Sequence, residues 1–354
     1  MARGCTATAA GQRLAEAICA AYPRAEIIEA LDTPHNRIAL GPSNELELHY
    51  EGKRTLVLAE HQSAVRQSRE ESNSCPNYWH FSPYGFCPYG CAYCYLAGTQ
   101  GVRFSPTVKI FVNLPEILAE VDRMARRLGV PTAFYLGKLQ DGLALDRLTG
   151  YSRQMVPFFA SHPLARLTLL TKSADVGNLL DLDHRGHSIL SWTLNPGAVV
   201  EAFEPNTPAL EERICAMEAC AGTGYPVRAV VMPIIPLPEW ETIYSEFLRH
   251  LLGRVRLARI TLGSICSYPQ AMRLTQQKLG PENSISSQLD RRRNGQSDGR
   301  SRFPRDLREK VYRHLLDLIQ RLAPSLEVGL CLEEESMFDT LGMKASLGRC
   351  NCVL

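Results

Sequence analysis

The sequence has no long apolar run and little net charge. No stretch of eighteen or more apolar residues occurs in its 354 residues, so no membrane-spanning helix is predicted. Lysine and arginine total 39 against 37 for aspartate and glutamate, which is unlike a protein that binds nucleic acid through an overall basic surface. The content of 45% hydrophobic and 21% charged residues is instead typical of a globular protein.

The amino-terminal residues also lack the continuous apolar stretch of a secretory signal. Residues 1–23 instead predict an amphipathic helix that ends at Pro23. The twelve cysteines are therefore expected to be reduced thiols and metal ligands rather than a disulfide framework. We expect a cytoplasmic protein.

Strand and helix patterns alternate from residue 84 onward. Val/Ile/Leu-rich segments alternate about six times with amphipathic segments, which is typical of a parallel sheet covered by helices. The first strand is predicted at 108–113, and Pro115 and Gly129 suit the start and stop of the helix after it. A later helix is predicted at 176–182. The predicted fold class is α/β, a partial (β/α)6 TIM-type barrel.

The barrel is predicted to span residues 81–332. Residues 1–80 are predicted to form an α+β extension. Residues 333–354 are predicted to form a C-terminal tail that either covers the barrel mouth or is exposed, with incidental cysteines. In the extension, strands are predicted in three segments, 26–31, 45–50 and 55–60. Because catalysis in parallel α/β folds occurs at the carboxyl ends of the strands, the site is expected there.

Three cysteines, Cys87, Cys91 and Cys94, lie within eight residues in FCPYGCAYCYL. Thiolates are soft donors that suit zinc, copper(I) or iron–sulfur clusters. Structural zinc usually takes four protein ligands, and the only close candidates for a fourth are Cys75 and His80. Three thiolates on a four-iron cluster would leave one iron for an outside ligand. A [4Fe-4S] cluster is therefore preferred to zinc or to a chance grouping.

The motif C-x3-C-x2-C, with Tyr93 before its last cysteine and a partial barrel after it, resembles that of the radical S-adenosylmethionine enzymes. CAYCYLAGTQG, LTLLTKSADVGNLLDLDHRG and FEPNTPALEERICAMEACAGTGYPVRAVVMPI are similar to segments of spore photoproduct lyase. The resemblance implies that the cluster binds S-adenosylmethionine. Reduced by a donor such as flavodoxin or ferredoxin, it would yield a 5′-deoxyadenosyl radical that abstracts hydrogen from a substrate.

The resemblance also implies six side chains near S-adenosylmethionine, namely Tyr93, Tyr95, Lys172, Thr193, Asn195 and Met232. Lys172 is expected near its carboxylate and Met232 at its adenine. Thr193 and Asn195 are expected to hydrogen-bond its ribose or methionine portion. The alternatives are a solvated lysine, a core methionine and residues that terminate a strand.

One position departs from the lyase. Lys138 stands where the lyase has a cysteine that returns a hydrogen atom to the thymine, and a lysine cannot do this. The sequence therefore predicts a related fold with another substrate, with Lys138, Gln140 and Asp141 beside that substrate.

Other thiols are candidates for the hydrogen donor. Cys266 and Cys331 lie at predicted strand ends, Cys352 is a rival if the tail folds inward, and Cys266 is preferred. Radical epimerases use such a thiol, and the sequence is compatible with the epimerase of orthosomycin (avilamycin-type) antibiotic biosynthesis. The preferred prediction is thus C–H epimerisation of a sugar in an oligosaccharide natural product. A further cluster held by Cys350, Cys352 and another cysteine is a weaker alternative, because two close cysteines alone are not enough.

Repair or modification of nucleic acid is the alternative function. Its support is an arginine-rich segment at 288–310, with Arg291, Arg292, Arg293, Arg300, Arg302 and Arg305. Such clusters bind phosphates, although a Gly/Ser/Arg stretch is also typical of a solvated loop. A zinc or iron–sulfur protein without enzymatic activity is the third class.

Overall fold

The computed structural model describes residues 1–42, 44–70, 73–289 and 298–354, so Arg291, Arg292 and Arg293 lie outside the described residues. The α-helices in these ranges are α1 (Ala9–Ala21), α2 (Glu45–Arg54), α3 (Gln100–Phe104), α4 (Leu114–Leu128), α5 (Asp146–Thr149), α6 (Ser152–Ser161), α7 (Gly197–Phe203), α8 (Leu210–Gly222), α9 (Trp240–Arg254), α10 (Pro269–Leu279), α11 (Arg305–Leu322) and α12 (Glu335–Thr340). Among the described helices, none is both long and apolar enough to cross a bilayer.

The strands in the same ranges are β1 (Leu56–Ala59), β2 (Val65–Ser68), β3 (Tyr78–Phe81), β4 (Tyr84–Gly85), β5 (Val108–Phe111), β6 (Thr132–Leu136), β7 (Ala165–Thr171), β8 (Ser188–Leu194), β9 (Val227–Ile234), β10 (Arg259–Ser264), β11 (Cys266–Ser267), β12 (Ser301–Arg302) and β13 (Glu327–Leu330). Short 3-10 helices occupy Tyr95–Gly98, Ser286–Gln288 and Lys344–Ser346.

Eight strands form one large sheet, in the order β13-β10-β9-β8-β7-β6-β3-β2. Neighbouring strands in it are parallel except β2 and β3, which are antiparallel. Helices α4, α6, α8, α9 and α11 lie in the connections between successive parallel strands. This architecture is the predicted partial barrel. The described part of the chain contributes seven parallel strands to it, whereas the sequence predicted six.

The sequence explains why the barrel elements form where they do. All six residues of β10 are buried, as expected for a parallel strand covered on both faces. In α4, Leu114, Ile117, Val121 and Ala125 are buried at helical spacing. Gly129 ends α4 with φ of 70°, a left-handed conformation that favours glycine, so the predicted stop is confirmed.

Two strand predictions near the amino terminus are wrong. The segment 45–50 alternates glutamate and leucine like a strand, but it begins α2. Asn44 caps this helix, its Oδ1 accepting from the Glu47 N–H at 2.8 Å, and acidic residues in the first turn suit the helix dipole. Residues 26–31 form only an isolated bridge, from Ala30 to Ala2.

Two further elements differ from prediction within the barrel region. The segment predicted as the first barrel strand contains β5, which pairs with β1 and β4 in a separate three-stranded sheet. The first parallel strand of the barrel is instead β3, whose sequence YWHF is aromatic rather than aliphatic. The predicted helix at 176–182 consists of turns.

The tail ends at the opposite side of the barrel from the predicted one. Arg228 Nη1 donates to the Val353 carbonyl oxygen at 2.6 Å, and Arg259 Nη1 donates to the Cys350 carbonyl oxygen at 2.7 Å. Both arginines lie at the beginnings of their strands, β9 and β10, so these residues close the amino-terminal end of the barrel rather than its mouth. The division into three domains stays a prediction.

Replacing Arg259 by Ala is expected to lower the free energy of unfolding by on the order of 1–3 kcal/mol, because the buried Cys350 carbonyl would lose its donor. Urea unfolding followed by circular dichroism measures the change. Arg256→Ala, at an exposed neighbouring position, is the control and is expected to change little. An Arg259→Ala curve identical to that of the unchanged protein would contradict this account of the tail.

Candidate active site

The three motif cysteines lie in a loop that follows β4 and is held against the end of α7. The Gly90 N–H donates to the Pro205 carbonyl oxygen at 3.0 Å, and the Ala92 N–H donates to the Phe203 carbonyl oxygen at 2.8 Å. A Cβ atom at position 90 would come within 2.9 Å of the Pro205 oxygen, so this close approach favours glycine. Backbone contacts therefore fix the path of the loop.

Two lysines bind the same loop from neighbouring helices. Lys53 of α2 donates to the carbonyl oxygens of Cys87 and Tyr89, the latter at 2.8 Å. Lys278 of α10 donates to the Cys91 carbonyl oxygen at 3.5 Å. Each lysine satisfies backbone acceptors of the loop and also places a positive charge beside the thiols.

Lysines lie beside the motif cysteines, of which Cys91 is buried and Cys87 and Cys94 are partly exposed. Burial raises the pKa of the Cys87 thiol, and the positive charge of Lys53 opposes this rise. Burial also raises the pKa of the Cys91 thiol, to about 11, and here Lys172 opposes the rise. The described residues contain no group of three His, Cys, Asp or Glu side chains arranged around a single metal ion. The fit of the loop to a [4Fe-4S] cluster rests instead on three soft donors close together in one loop and on the adjacent lysines.

A buried carboxylate, Glu204, connects two of the predicted cofactor residues. The Tyr93 hydroxyl donates to it, Asn195 Nδ2 donates to it at 3.1 Å, and Arg213 Nη2 lies 2.6 Å from its second oxygen. Burial raises the pKa of Glu204, but Lys172 and Arg213 outweigh burial and hold it below the usual value. The polar groups of Tyr93 and Asn195 thus have protein partners, and their contacts with a cofactor stay predictions.

Three more predicted cofactor residues lie at one edge of the sheet. Lys172 directly follows β7, Thr193 is near the end of β8, and Met232 is near the end of β9. These strands are neighbours and parallel, so their carboxyl ends meet. Lys172 Nζ lies 5.9 Å from the centre of the Tyr93 ring, which brings this edge to the cysteine loop. Contact of the three residues with S-adenosylmethionine stays a prediction.

The three predicted substrate residues follow β6 but differ in their surroundings. Lys138 Nζ lies 2.7 Å from the Glu70 carboxylate. Gln140 is only 3% exposed. Asp141 accepts a hydrogen bond from the Lys172 N–H at 2.7 Å and thereby joins two strand ends. A substrate role for them stays a prediction, and the Asp141 carboxylate already has a role in positioning Lys172.

Near the predicted cofactor residues Tyr95 and Met232, further thiols meet inside the barrel. They belong to Cys75, Cys331, Cys350 and Cys352. The Cys75 thiol lies near that of Cys331 and raises its pKa, and the Cys350 thiol likewise raises the pKa of Cys352. Cys75 was not predicted to lie here. It reaches Cys331 because the Ser74 N–H donates to the Glu333 carbonyl oxygen at 2.9 Å, a contact between distant parts of the chain.

The two strand-end thiols differ in access. Cys266, the preferred donor from sequence, is 6% exposed in β11, and burial raises its pKa to about 11. Cys331 is partly exposed just after β13. A Cβ atom at Gly263 would lie 3.3 Å from the Cys331 Cβ and 2.7 Å from the Met232 sulfur, so both side chains flank Gly263. Cys331 therefore lies beside a predicted cofactor contact.

A cavity of about 690 Å³ opens beside the cysteine loop. Its walls include Phe86 and Tyr268, and its cations are Arg3, Arg66, Lys109 and Lys138. Three histidines, His35, His61 and His80, also line it, and burial lowers the pKa of each to about 4, so they are neutral at pH 7. We call this space the basic cavity.

The described part of the predicted arginine cluster is engaged in ion pairs. Arg300 Nη2 lies 2.5 Å from Glu70, and Arg305 Nη1 lies 3.3 Å from Glu334. Arg302 pairs with Asp298 at 2.6 Å. These three side chains therefore hold the structure together rather than forming the predicted phosphate-binding patch.

Comparison with known proteins identifies the family. The sequence model of spore photoproduct lyase matches residues 6–266. This chain belongs to the spore photoproduct lyase family. Spore photoproduct lyase of Bacillus subtilis strain 168 is 32% identical over 229 residues, 64% of each chain, and that of Geobacillus sp. is 31% identical over 222 residues, 62% of this chain and 63% of that one. The matches thus span less than two thirds of these relatives.

Solved structures of spore photoproduct lyase share the fold. A complex with dinucleoside spore photoproduct has a TM-score of 0.78 at 22% identity and covers 93% of this chain and 97% of that one. A double mutant with bound AdoMet and dinucleoside spore photoproduct has a TM-score of 0.77 at 22% identity, covering 92% and 96%. The predicted α/β barrel is confirmed, and the predicted cofactors, a [4Fe-4S] cluster and S-adenosylmethionine, are those that the spore photoproduct lyase homologues use. The comparisons give no support to sugar epimerisation or antibiotic biosynthesis.

For this member of the spore photoproduct lyase family, replacing Cys91 by Ala is expected to abolish most of the iron bound after anaerobic reconstitution, about four atoms per chain in the unchanged protein. Iron and sulfide analysis with visible absorption measures this. Cys215→Ala, at an exposed position of α8, is the control and is expected to keep its iron. Full iron in Cys91→Ala, or zinc alone in the unchanged protein, would contradict the assignment.

Proposed function

We propose that the chain is a radical S-adenosylmethionine enzyme that acts on nucleic acid, and that the thiol of Cys331 returns hydrogen to the substrate. The observation that carries the substrate class is the basic cavity next to the cysteine loop. When bound, the cluster and S-adenosylmethionine would supply a 5′-deoxyadenosyl radical. The protein residues bind the substrate, exclude water and provide the hydrogen atom.

The charges of the basic cavity suit a phosphodiester backbone. Arg3 and Arg66 each donate to a main-chain carbonyl oxygen, of Asp32 and Ser63, rather than to a carboxylate. Lys109 Nζ likewise donates to the Ser105 carbonyl oxygen at 2.9 Å. Because these acceptors are neutral, the positive charges remain available to attract an anion. An uncharged oligosaccharide would gain nothing from them.

Aromatic rings at the cavity wall suit a nucleobase. Tyr268 lines the cavity and stacks on Tyr95, with ring centres 6.2 Å apart and planes inclined by 24°. The Arg300 guanidinium lies over the Tyr268 ring, 5.3 Å from its centre. Unpaired bases commonly stack on such aromatic and guanidinium surfaces. The cavity therefore combines cations for phosphate with rings for bases.

Cys331 is proposed as the hydrogen donor in place of the cysteine that Lys138 replaces. Its S–H bond would break as a C–H bond forms on the substrate radical, which leaves a sulfur radical on Cys331. The Cys75 thiol lies near that sulfur. The Cys331 side chain is more accessible than that of Cys266, and it flanks Gly263 together with Met232. Location beside the predicted cofactor site therefore favours Cys331.

Under anaerobic conditions in deuterated water, with cluster, S-adenosylmethionine and reductant, the enzyme is expected to convert a photoproduct-containing oligonucleotide and to place one deuterium in the product. Thiol hydrogens exchange with solvent, so mass spectrometry reports the donor. Cys331→Ala is expected to form 5′-deoxyadenosine without this product, whereas Cys215→Ala retains it.

Two results would contradict parts of this proposal. Conversion of a neutral oligosaccharide but of no oligonucleotide would restore the sugar epimerase predicted from sequence. A product from the oligonucleotide that carries no solvent deuterium would exclude a thiol donor.

Replacing Arg66 by Ala is expected to weaken binding of a single-stranded oligonucleotide and to lower the slope of log affinity against log salt by about 0.7, because one phosphate contact is lost. Fluorescence anisotropy at several salt concentrations measures both quantities. Arg256→Ala, exposed on the connection before β10, is the control. Equal slopes for Arg66→Ala and the unchanged protein would show that Arg66 does not contact a phosphate of the bound oligonucleotide.

A further inference from the structure

A second cavity, of about 470 Å³, lies on another side of the cysteine loop. Pro88, Gly90 and Ala92 of the loop form part of its wall. The remaining wall comes from α2, α10 and the end of α7, through residues that include His49, Tyr50, Lys53, Arg54 and Lys278. No acidic side chain is among its lining residues. We call this surface the loop-side cavity.

Among the described residues, no carboxylate forms an ion pair with the cations of the loop-side cavity. Lys53 Nζ donates to backbone carbonyls of the loop and lies 3.7 Å from the centre of the Phe86 ring. Lys278 Nζ lies 2.9 Å from His49 Nε2. Burial lowers the pKa of His49 to about 3, so its imidazole is neutral and accepts this hydrogen bond. Arg54 is exposed at the end of α2 and adds a third positive charge.

We infer that the loop-side cavity is the docking surface for an acidic one-electron carrier protein that reduces the cluster. The inference rests on the proposed function, since a radical enzyme of this kind must receive an electron at its cluster. Electron transfer requires a short path, and here the cysteine loop itself forms part of the docking wall. Flavodoxins and ferredoxins are acidic carriers, so three cations without an acidic neighbour in the lining provide charge complementarity.

The exposed ring of Tyr50 adds a contact residue of the type enriched at protein interfaces. Its side chain is 50% exposed at the rim, and Lys278 Nζ lies 6.0 Å from its ring centre. The combination of a surface tyrosine with surrounding cations is suited to a transient, electrostatically steered complex.

The test compares Arg54→Glu with Arg127→Glu, an exposed position in the last turn of α4. Stopped-flow absorption follows reduction of the reconstituted cluster by reduced flavodoxin. Arg54→Glu is expected to lower the second-order rate constant about tenfold at low salt, with a smaller difference at high salt, because charge reversal weakens steering. Arg127→Glu is expected to match the unchanged protein. Dithionite, which needs no docking surface, is expected to reduce all three proteins at equal rates.

A second measurement separates this inference from the proposed function. Binding of flavodoxin to iron-free protein, measured by calorimetry, is expected to be weaker for Arg54→Glu than for Arg127→Glu, whether or not the chain acts on nucleic acid. Equal binding and equal flavodoxin rates for the two variants would overturn the docking surface. Loss of dithionite reduction in Arg54→Glu alone would also overturn it, because Arg54 would then act on the cluster itself.

Discussion

The site depends on holding an irregular loop in one conformation while it presents three thiols. An irregular loop cannot pair all of its backbone N–H and C=O groups within itself. Burying such groups costs free energy unless other parts of the protein provide hydrogen-bond partners. Here a carbonyl oxygen at the end of α7 accepts a hydrogen bond from the Ala92 N–H. Lys53 of α2 and Lys278 of α10 donate hydrogen bonds to carbonyl oxygens of the loop. Thr275 of α10 also donates to the Ala92 carbonyl oxygen at 3.0 Å. Three helices that are distant in sequence therefore stabilise the loop before any cofactor binds.

The same reasoning explains how cysteines from distant segments meet inside the barrel. Arg228 and Arg259 are buried at the beginnings of their strands, where a cation needs acceptors. Carbonyl oxygens of the final residues provide them, and this holds Cys350 and Asn351 in the interior at 3% and 4% exposure. The barrel end is closed by the chain's own terminus, and thiols are thereby brought near Cys331.

The sequence predicts those features that are determined locally. The cysteine motif, the barrel strands rich in Val, Ile and Leu, and the stop of α4 at Gly129 all follow from neighbouring residues. The alternation in 45–50 gave the wrong element, because the Asn44 cap and the charges of α2 favour a helix over the strand period. The fully buried strand β5 lies in another sheet, since burial alone does not specify which strand it pairs with.

The site residues that sequence reasoning missed depend on long-range contacts. Nothing near Cys75 in the sequence indicates Cys331 as its neighbour, because the Ser74–Glu333 contact joins the segment before the barrel to the residues that follow β13. The two cavities arise in the same way, around one loop. Phe86 lines the basic cavity, whereas Gly90, four residues later, lines the loop-side cavity. A substrate in the basic cavity and an electron donor on the loop-side cavity, the two proposed occupants, would therefore approach the cysteine loop from different sides, and neither would need to leave before the other binds.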